Sequence, residues 1–411
     1  MRIKRSKYCL AFLKATEAFD VQAFLQGNVL KTSTVELTGY SPLSGEEISL
    51  RGEDLDRLTR IADDRWQDVD GLATTLGVPA SWLMDLAAQG FLLTDEPMGP
   101  RKRWREIHDR VDSESWNPAV AAFHLASLHL ESSAAEAQGD KEVDLTEMKR
   151  NSAEDTEAFL ERHGPPPEAF QSRPDAAKNE PLPRPEYDQE DHFFKTLLER
   201  KTHRTFEPQT PLGLETLSRL LHLTFGHQGL YRLSPEVFTL HKTSPSGGSL
   251  HPIEAYPVVH DVQGLAPGLY HYRAEDHSLE LLREISADDL RSMTVGFAQG
   301  QTFVGTAQAA IVLVARFARN FWKYKRQLKT YAVVHQDAGH LNQTFHLTAT
   351  RLGLGAFYTA AIDPLRIAEA LDLPTPSESA LGICGCGVKT PDDPSSPDLE
   401  PSSPGPLGSG P

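Results

Sequence analysis

The feature that most constrains the fold is an apolar run followed by a long stretch of helical periodicity. Ala309–Ala315 (AAIVLVA) is continuously apolar, which is typical of a strand buried on both faces. From Phe321 to Gly355, apolar and aromatic residues recur at steps of three and four, which predicts one long helix with a buried face. Gly353–Gly355 should end that helix, since glycine tolerates the left-handed conformation found at helix C-termini.

Composition limits the classes of function. The chain has 411 residues, which favours two domains, and a net charge of −16, which disfavours binding to nucleic acid or anionic membranes. Cys9, Cys384 and Cys386 are its only cysteines, so no disulfide framework is expected and a reducing compartment is favoured. The apolar run near the start is too short for a secretory signal, and no run approaches the length of a membrane span. The prediction is a soluble cytoplasmic protein.

Residues 1–100 carry the pattern of a small winged helix-turn-helix domain. Its predicted elements are two strands within 34–50, helices at Asp54–Asp64, 69–77 and 79–90, and a strand at Phe91–Leu93. DNA binding is disfavoured because Ala80–Gln89, the helix that would enter the groove, has no Lys or Arg. The domain resembles the PqqD-like modules that bind leader peptides of ribosomally made natural products, adding the peptide as a strand at the sheet edge. A dimerisation or packing domain without a ligand is the alternative.

Residues 101–190 predict a helical segment followed by an acidic, proline-rich linker. Trp116–Ser132 has the pattern of an apolar helix that begins at Asn117-Pro118. His124 and His129 lie five residues apart on different faces of this helix, so they do not suggest a metal pair. Residues 391–411 form a low-complexity tail that is expected to be disordered. Residues 191–390 remain as the candidate catalytic domain.

Two polar segments of residues 191–390 carry candidate binding chemistry. After a predicted helix at Asp191–Glu199, the segment Arg200–Phe206 (RKTHRTF) offers cations and hydroxyls that suit a phosphate group. The loop Ser244–Pro252 (SPSGGSLHP) has paired glycines that would let the backbone approach a flat ring or a phosphate. Each has a simpler interpretation: the first segment as solvated surface, the second as a tight turn.

The adjacent pair Lys323-Tyr324, which follows the buried strand, is the candidate for catalysis. Adjacent helical residues point about 100° apart, so both side chains can line one site only at a helix start or irregularity. Without further context, a solvated lysine beside a core tyrosine is the simpler interpretation. Asp337 and Gln343 on the same predicted helix are candidates to orient a cofactor or the pair.

Taken in order, these segments resemble the flavin nitroreductase superfamily. The segments are RKTHRTF, SPSGGSLHPIEAY, GLYHYRAEDHSLELL, FWKYKRQLKTY, DAGHLNQTFHLTATRLGLG and LGICGCGVK. More narrowly, they resemble its azoline-oxidase branch, the SagB-, McbC- and ThcOx-like dehydrogenases. The resemblance covers about Asp191–Lys389. It implies an α+β, three-layer fold with a mainly antiparallel sheet, a homodimer, and FMN bound at the subunit interface.

The resemblance also implies a set of site residues. Arg200, Thr202 and Arg204 match the family's FMN-binding pattern, although Lys201 replaces an arginine and Thr202 a serine. The loop along the flavin ring, often contributed by the partner chain, matches Ser246, Gly247 and Ser249, with Gly248 between them. The backbone segment at the ring matches Gly353, Leu354 and Gly355, and Lys389 is the nearby match for a C-terminal phosphate ligand.

The function implied is an FMN-dependent peptide dehydrogenase of natural-product maturation. Oxidation of a thiazoline or oxazoline, or of another modified residue, would pass hydride to flavin N5, with reoxidation by O2. Lys323 would act as base and Tyr324 as proton partner or orienter. Burial and the positive end of a helix are expected to lower the pKa of Lys323 from its ordinary value of about 10.4.

The expected partners are a precursor peptide, as substrate, and a cyclodehydratase or another maturation enzyme. Two alternatives stay open. One is an NAD(P)H-dependent nitroreductase or quinone reductase, and the other is a non-catalytic scaffold that binds the precursor.

Overall fold

The structure is a computed structural model that describes residues 1–19, 31–96, 98–114, 116–128, 191–235 and 237–390, with single positions between 160 and 188. Most of the predicted linker, the tail after residue 390 and His129 lie outside the described residues. Within the described part of the chain, no helix combines the length and apolar character needed to cross a bilayer.

The N-terminal part contains two small sheets and three short helices. Its elements are β1 (Arg2–Arg5), β2 (Leu10–Phe19), β3 (Lys31–Tyr40), β4 (Glu47–Leu50), α1 (Gly52–Arg60), β5 (Gln67–Asp68), α2 (Val69–Leu76), α3 (Ala80–Ala88) and β6 (Leu92–Thr94). β1 lies between β5 and β6, while β2, β3 and β4 form a second antiparallel sheet. The helices and β6 lie where the sequence predicts them. The winged-helix assignment stays a prediction.

Strand β2 is not predicted by the sequence analysis. Its sequence LAFLKATEAF is rich in residues that favour helices. Pairing with β3 from Leu10↔Tyr40 to Phe19↔Lys31 decides the conformation instead. Local propensity is a weak prior that tertiary pairing overrides.

Between the N-terminal part and residues 191–390, the described residues include two helices, and another helix begins residues 191–390. These are α4 (Pro100–Ser113), α5 (Pro118–Ser127) and α6 (His192–Glu199). Asn117 caps α5 by accepting a hydrogen bond from the backbone N–H of Ala119 at 3.0 Å, and Asp191 caps α6 in the same way. One apolar cluster includes Tyr8, Trp104, Trp116 and Phe317, so the packing continues across residue 100.

Residues 191–390 are built around an antiparallel six-stranded sheet. After α6 come α7 (Leu214–Phe225), β7 (Gly229–Arg232), β8 (Phe238–His241), β9 (Ile253–Val259), β10 (Gly268–Arg273), β11 (Ser278–Glu284), α8 (Ala287–Phe297), α9 (Thr302–Thr306), β12 (Ala309–Arg316), α10 (Phe317–Tyr324), α11 (Lys329–Arg351), β13 (Leu354–Thr359), α12 (Pro364–Leu371) and β14 (Glu378–Val388). The strand order is β11-β10-β9-β12-β14-β13, and every neighbouring pair is antiparallel. The α+β, mainly antiparallel prediction is confirmed.

Strand β12 is buried on both faces, as its continuous apolar sequence predicts. Ile311, Leu313 and Ala315 join the core that includes residues of α7 and α11. Ala310, Val312 and Val314 join the core that includes residues of α8 and α12. Because successive side chains of a strand point to opposite faces, this alternation puts helices on both sides of the sheet.

The long helix predicted over Phe321–Gly355 is wrong in one respect: it is interrupted. Helix α10 ends at Tyr324, Lys325 adopts a φ of +52°, and α11 begins at Lys329. A side chain at positive φ is strained, so the chain cannot continue as a right-handed helix through this residue. The predicted end is confirmed, since Gly353 has a φ of +77° and follows the last turn of α11.

Candidate active site

The loop Ser246–His251 turns sharply between β8 and β9. Gly248, Ser249 and His251 all have positive φ, at +67°, +58° and +46°. Glycine adopts this conformation readily, whereas the two other residues require the surrounding structure to hold them. The loop is therefore a specifically held feature rather than an ordinary tight turn.

The pair Lys323-Tyr324 meets this loop at Gly248. The Lys323 ammonium donates a hydrogen bond to the carbonyl oxygen of Gly248 at 3.2 Å. A Cβ built on Gly248 would collide with the Tyr324 hydroxyl and lie 2.9 Å from Lys323 Nζ. Both side chains thus converge on one glycine, which the end of α10 allows because the chain leaves helical geometry at Lys325.

The helix end beside Lys323 differs from the one expected. The side chain of Lys323 is exposed in the single chain, so the expectation of burial was wrong. Lys323 lies in the last turn of α10, where the helix dipole is negative and favours a positive charge. The expectation of a positive helix end was therefore wrong. It assumed one continuous helix beginning near Phe321, whereas α10 begins at Phe317 and ends at Tyr324.

Asp337 on α11 holds the loop from the other side. Its carboxylate accepts hydrogen bonds from Ser246 Oγ at 2.6 Å and from the backbone N–H of Gly247 at 3.0 Å. Ser246 Oγ also accepts from the backbone N–H of His251 at 2.9 Å. Burial raises the pKa of Asp337 despite these donors. Gln343, the other orienting candidate on this helix, has an exposed side chain.

Basic groups surround the loop. Arg319 Nε donates to the carbonyl of Leu250 at 2.8 Å, and Lys242 Nζ donates to the carbonyl of Phe225 at 2.7 Å. Burial, followed by the charge of Lys242, lowers the pKa of His251 to about 4. His251 is therefore neutral near pH 7, while the charge around the loop comes from the lysines and arginines.

A second cluster forms where Arg200–Phe206 runs beside β13 and β14. The backbone N–H of His203 donates to the carbonyl of Ala356 at 2.8 Å, and Phe206 forms a bridge with Lys389. A Cβ on Gly355 would lie 2.9 Å from the Cβ of His203 and 3.2 Å from the Cβ of Lys389. The structure therefore brings together the predicted segments Arg200–Arg204, Gly353–Gly355 and Lys389.

His346 on α11 borders this second cluster, and the sequence analysis did not single it out. Burial lowers the pKa of His346 to about 4, and the nearby charges of Arg200 and His203 add to this decrease. Its Nδ1 is buried and has no hydrogen-bond partner among the described residues. The arginines of this cluster are half-buried and its lysines exposed, and such cations beside an unsatisfied ring nitrogen suit an anionic ligand.

The two clusters lie on opposite faces of α11. Asp337 and His346 are nine residues apart, which corresponds to half a turn in azimuth and about 14 Å along the axis.

Asn320 on α10 is a second residue that the sequence analysis missed. Its side chain is fully buried, and both amide atoms lack a hydrogen-bond partner among the described residues. It precedes Tyr324 by four residues and so lies on the same face of the helix, one turn away. Nothing in the sequence distinguishes it from an ordinary helical asparagine.

Residues in and just before α5 pack against α10 and the start of α11. The ring of Trp116 lies 4.8 Å from that of Phe321 in an edge-on arrangement. His124 is buried, its Nδ1 lies 3.1 Å from the Tyr331 hydroxyl, and burial lowers its pKa to about 3. The helix that carries Lys323 is thus fixed by residues far away in the sequence.

Cys384 and Cys386 lie fully buried on β14. Burial raises the pKa of the Cys386 thiol to about 12. Within the described residues, no three His, Cys, Asp or Glu side chains form a group suited to a metal.

The donor set suits FMN. Arg200, Arg204 and Lys389 supply cations for a phosphate, and the buried Nδ1 of His346 lies beside them. At the other cluster, the Tyr324 hydroxyl and Lys323 Nζ already occupy the position that a Cβ on Gly248 would take, so the close approach of the pair to the loop requires glycine. The cationic segment therefore fits the phosphate of such a cofactor.

Comparisons with known proteins agree with this fit. Residues 197–388 match the nitroreductase family. A Methanocaldococcus jannaschii protein that bears the nitroreductase name is 30% identical over 181 residues, which is 43% of this chain and 82% of the relative. The trifolitoxin-processing protein TfxB of Rhizobium leguminosarum bv. trifolii is 28% identical over 176 residues, or 41% of this chain. The chain spans only 46% of the length of TfxB.

Among solved structures, the Escherichia coli microcin synthetase McbBCD complex with bound truncated pro-MccB17 is similar at 19% identity and a TM-score of 0.41. That similarity covers 56% of this chain and 80% of the other. A Ralstonia eutropha nitroreductase-type structure is similar at 29% identity and a TM-score of 0.39. That similarity covers 51% of this chain and 88% of the other. Through residues 197–388, and through a relative matched over most of its length, this chain belongs to the nitroreductase family.

Proposed function

We propose that this protein is an FMN-dependent dehydrogenase that oxidises azoline rings, or another modified residue, in a ribosomally made precursor peptide. The observation that carries the proposal is the convergence of Lys323 and Tyr324 on Gly248. Sequence similarity to TfxB, which is named for processing trifolitoxin, supports peptide maturation over a general reductase.

Converting an azoline to an azole removes two electrons and two protons, and FMN supplies the two-electron acceptor when bound. Lys323 removes the ring proton, acting as general base once its amine is neutral. Tyr324 orients the lysine or takes part in its proton transfer, donating its own hydroxyl proton as it accepts one. Asp337 keeps Gly248 in position by fixing Ser246 and Gly247.

The flavin would be held by Arg200, Lys201, Thr202, Arg204 and Lys389 at its phosphate, and by Gly353–Gly355 and Ser246–Ser249 at its ring. Because the two clusters lie on opposite faces of α11, the proposal requires a homodimer in which each flavin contacts both chains. Exposed apolar side chains on α6 support a dimer, since Phe193 is 63% and Leu198 60% exposed in the single chain. Beside α6, a cavity of ≈ 360 Å³ lies against α7 and α11.

The N-terminal part is proposed to bind the precursor peptide. The outer edge of β2 has no strand partner among the described residues, so an extended peptide can add to it. Leu10, Leu55 and Phe91 line a cavity of ≈ 100 Å³ next to this strand, which suits an apolar side chain. Tethering the peptide would raise its effective concentration at Lys323.

A visible absorption spectrum followed by anaerobic mixing tests the proposal. The purified protein should be yellow, and an azoline-containing peptide should bleach it, with colour returning on exposure to O2. Rapid bleaching by NADPH without effect of the peptide would instead support a nitroreductase or quinone reductase. Colourless protein that still binds peptide would support a scaffold.

Leu55→Asp tests the tether without touching the candidate active site. Precursor binding should weaken, while turnover of a short core peptide should be retained. Leu214→Asp on α7 is the matched control, since Leu55 and Leu214 are 38% and 42% exposed. Equal precursor binding by both variants would refute the tether.

A further inference from the structure

The turn between α10 and α11 carries a concentration of positive charge. We call residues Lys325–Lys329 the basic turn; its cations are Lys325, Arg326 and Lys329. All three side chains are exposed, and Lys325 stands at a φ of +52°, where the chain departs from the helix. The turn directly follows Lys323-Tyr324, so its charge lies at the mouth of the candidate active site.

The cations of the basic turn have no ion-pair partner among the described residues. Cations of the N-terminal part differ, since Lys4 pairs with Asp109 at 2.7 Å and Lys7 with Asp112 at 2.7 Å. The whole chain has a net charge of −16, so carboxylates to pair with are plentiful. An unpaired basic cluster on an acidic protein creates a local field that attracts anionic groups.

The basic turn lies between the N-terminal part and the candidate active site. The carbonyl oxygen of Arg326 accepts a hydrogen bond from Asn117 Nδ2 at 3.0 Å, at the start of α5. The positive charge of Arg326 also acts on the Tyr8 hydroxyl of the N-terminal part, where it opposes the rise in pKa that burial causes. Two apolar side chains flank the cations, with Trp322 62% and Leu328 56% exposed. An extended chain leaving the N-terminal part toward Lys323 would pass this surface.

We propose that the basic turn binds an acidic stretch of the peptide substrate, with Trp322 and Leu328 contacting its apolar neighbours. This inference rests on the proposed function and deepens it by giving the substrate class a charge pattern. Exposed charges at the rim of an interface act mainly on the association rate and the salt dependence. The basic turn therefore selects peptides with acidic residues near the modified ring.

The test compares two double charge reversals in the full chain. Lys325→Glu/Lys329→Glu changes the basic turn, while Lys102→Glu/Arg219→Glu makes the same change in net charge on α4 and α7. The probe is a fluorescein-labelled hexaglutamate peptide measured by fluorescence anisotropy at low salt. A fluorescein-labelled hexaserine peptide is the control, because it detects any binding that the fluorescein itself causes.

The wild type and the control variant should bind hexaglutamate, and the basic-turn variant should bind at least about tenfold more weakly. About 0.5 M NaCl should abolish the difference, because exposed charges are then screened. Equal binding by the two variants, or no binding by the wild type, would overturn the inference. Tighter binding of single-stranded oligothymidylate, lost in the same variant, would overturn it in favour of nucleic acid.

This test is independent of turnover. Flavin content and the response to azoline peptides decide the proposed function, whereas anisotropy with hexaglutamate decides the charge preference. A yellow protein that oxidises azoline peptides but ignores hexaglutamate would refute only the inference.

Discussion

The ammonium nitrogen of Lys323 lies 3.2 Å from the carbonyl oxygen of Gly248, a residue 75 positions earlier in the chain. This hydrogen bond joins the proposed catalytic pair to the loop that is proposed to lie along the flavin. Exposed hydrogen bonds of this kind stabilise a fold by only about 0.5–1.5 kcal/mol. Its importance is therefore geometric, because it fixes the amine beside the loop.

Lys323→Ala should lower turnover by roughly 10²–10⁴-fold, since the variant lacks the proposed general base. Flavin content should be retained, because the lysine is not among the proposed flavin ligands. Steady-state turnover and the visible spectrum measure the two quantities. Lys102→Ala, at an exposed site on α4, is the control, and an unchanged rate in Lys323→Ala would remove the assignment.

Gly248→Ala should reduce turnover while leaving the protein folded. The added methyl group would collide with the Tyr324 hydroxyl and press on Lys323 Nζ, so the pair must move. Gly264→Ala is a matched control, because Gly264 has a φ of +77° but no atom within 4 Å of the added Cβ. Both variants carry the same backbone strain, of about 1–2 kcal/mol. If both lose turnover equally, backbone strain rather than the contact with the pair is responsible.

Asp337→Asn should lower turnover without lowering stability near neutral pH. Burial raises the pKa of Asp337, so its contribution to stability is present at low pH and is lost as the pH rises through the folded-state value. The ionised carboxylate is therefore a cost near pH 7, which asparagine removes. The Ser246 and Gly247 donors reach different oxygens of the carboxylate, and asparagine replaces one of these oxygens by an NH2 group, so one hydrogen bond is lost and the loop loosens.

Denaturant unfolding of wild type and Asp337→Asn at acidic and neutral pH measures this difference, beside turnover at each pH. The variant should gain stability relative to wild type as the pH rises. Ser246→Ala should show reduced turnover without that pH trend. A variant that loses stability most at neutral pH would contradict the assignment of the carboxylate.

Arg204→Ala should lower flavin occupancy, because the guanidinium is a proposed phosphate ligand. Its guanidinium carbon lies 5.4 Å from the centre of the Phe303 ring, so the position is held by packing as well as charge. The ratio of flavin to protein absorbance reports occupancy. Arg219→Ala on α7 should leave the ratio unchanged, and a fully yellow Arg204→Ala protein would break the phosphate-site assignment.

Asn320→Leu should stabilise the fold while reducing turnover. A buried polar group without a partner costs about 1–3 kcal/mol, and leucine of similar shape removes that cost. Loss of turnover is expected because the amide lies one helical turn from Tyr324. Thermal unfolding measures the expected gain in stability, and steady-state kinetics measure the expected loss of turnover. Reduced stability with normal turnover would show that the amide has a purely structural role.

The sequence by itself determined the central strand and the local segments. Continuous apolar residues make β12 a buried strand, because no alternating polar face exists to meet solvent. Glycines at 248 and 353 determined turns, because both positions have positive φ. Cations and hydroxyls at Arg200–Arg204 indicated an anion site through their chemistry alone.

Only the tertiary structure decided how these segments meet. The break at Lys325 is not visible in a sequence whose helical pattern continues through it, and it accompanies long-range contacts of α10 with Trp116 and Gly248. The partners of Asp337 lie about ninety residues away, so no local pattern reveals that this carboxylate holds the loop. Periodicity reports which face of an element is buried, whereas contacts between distant elements depend on the packing of the whole chain.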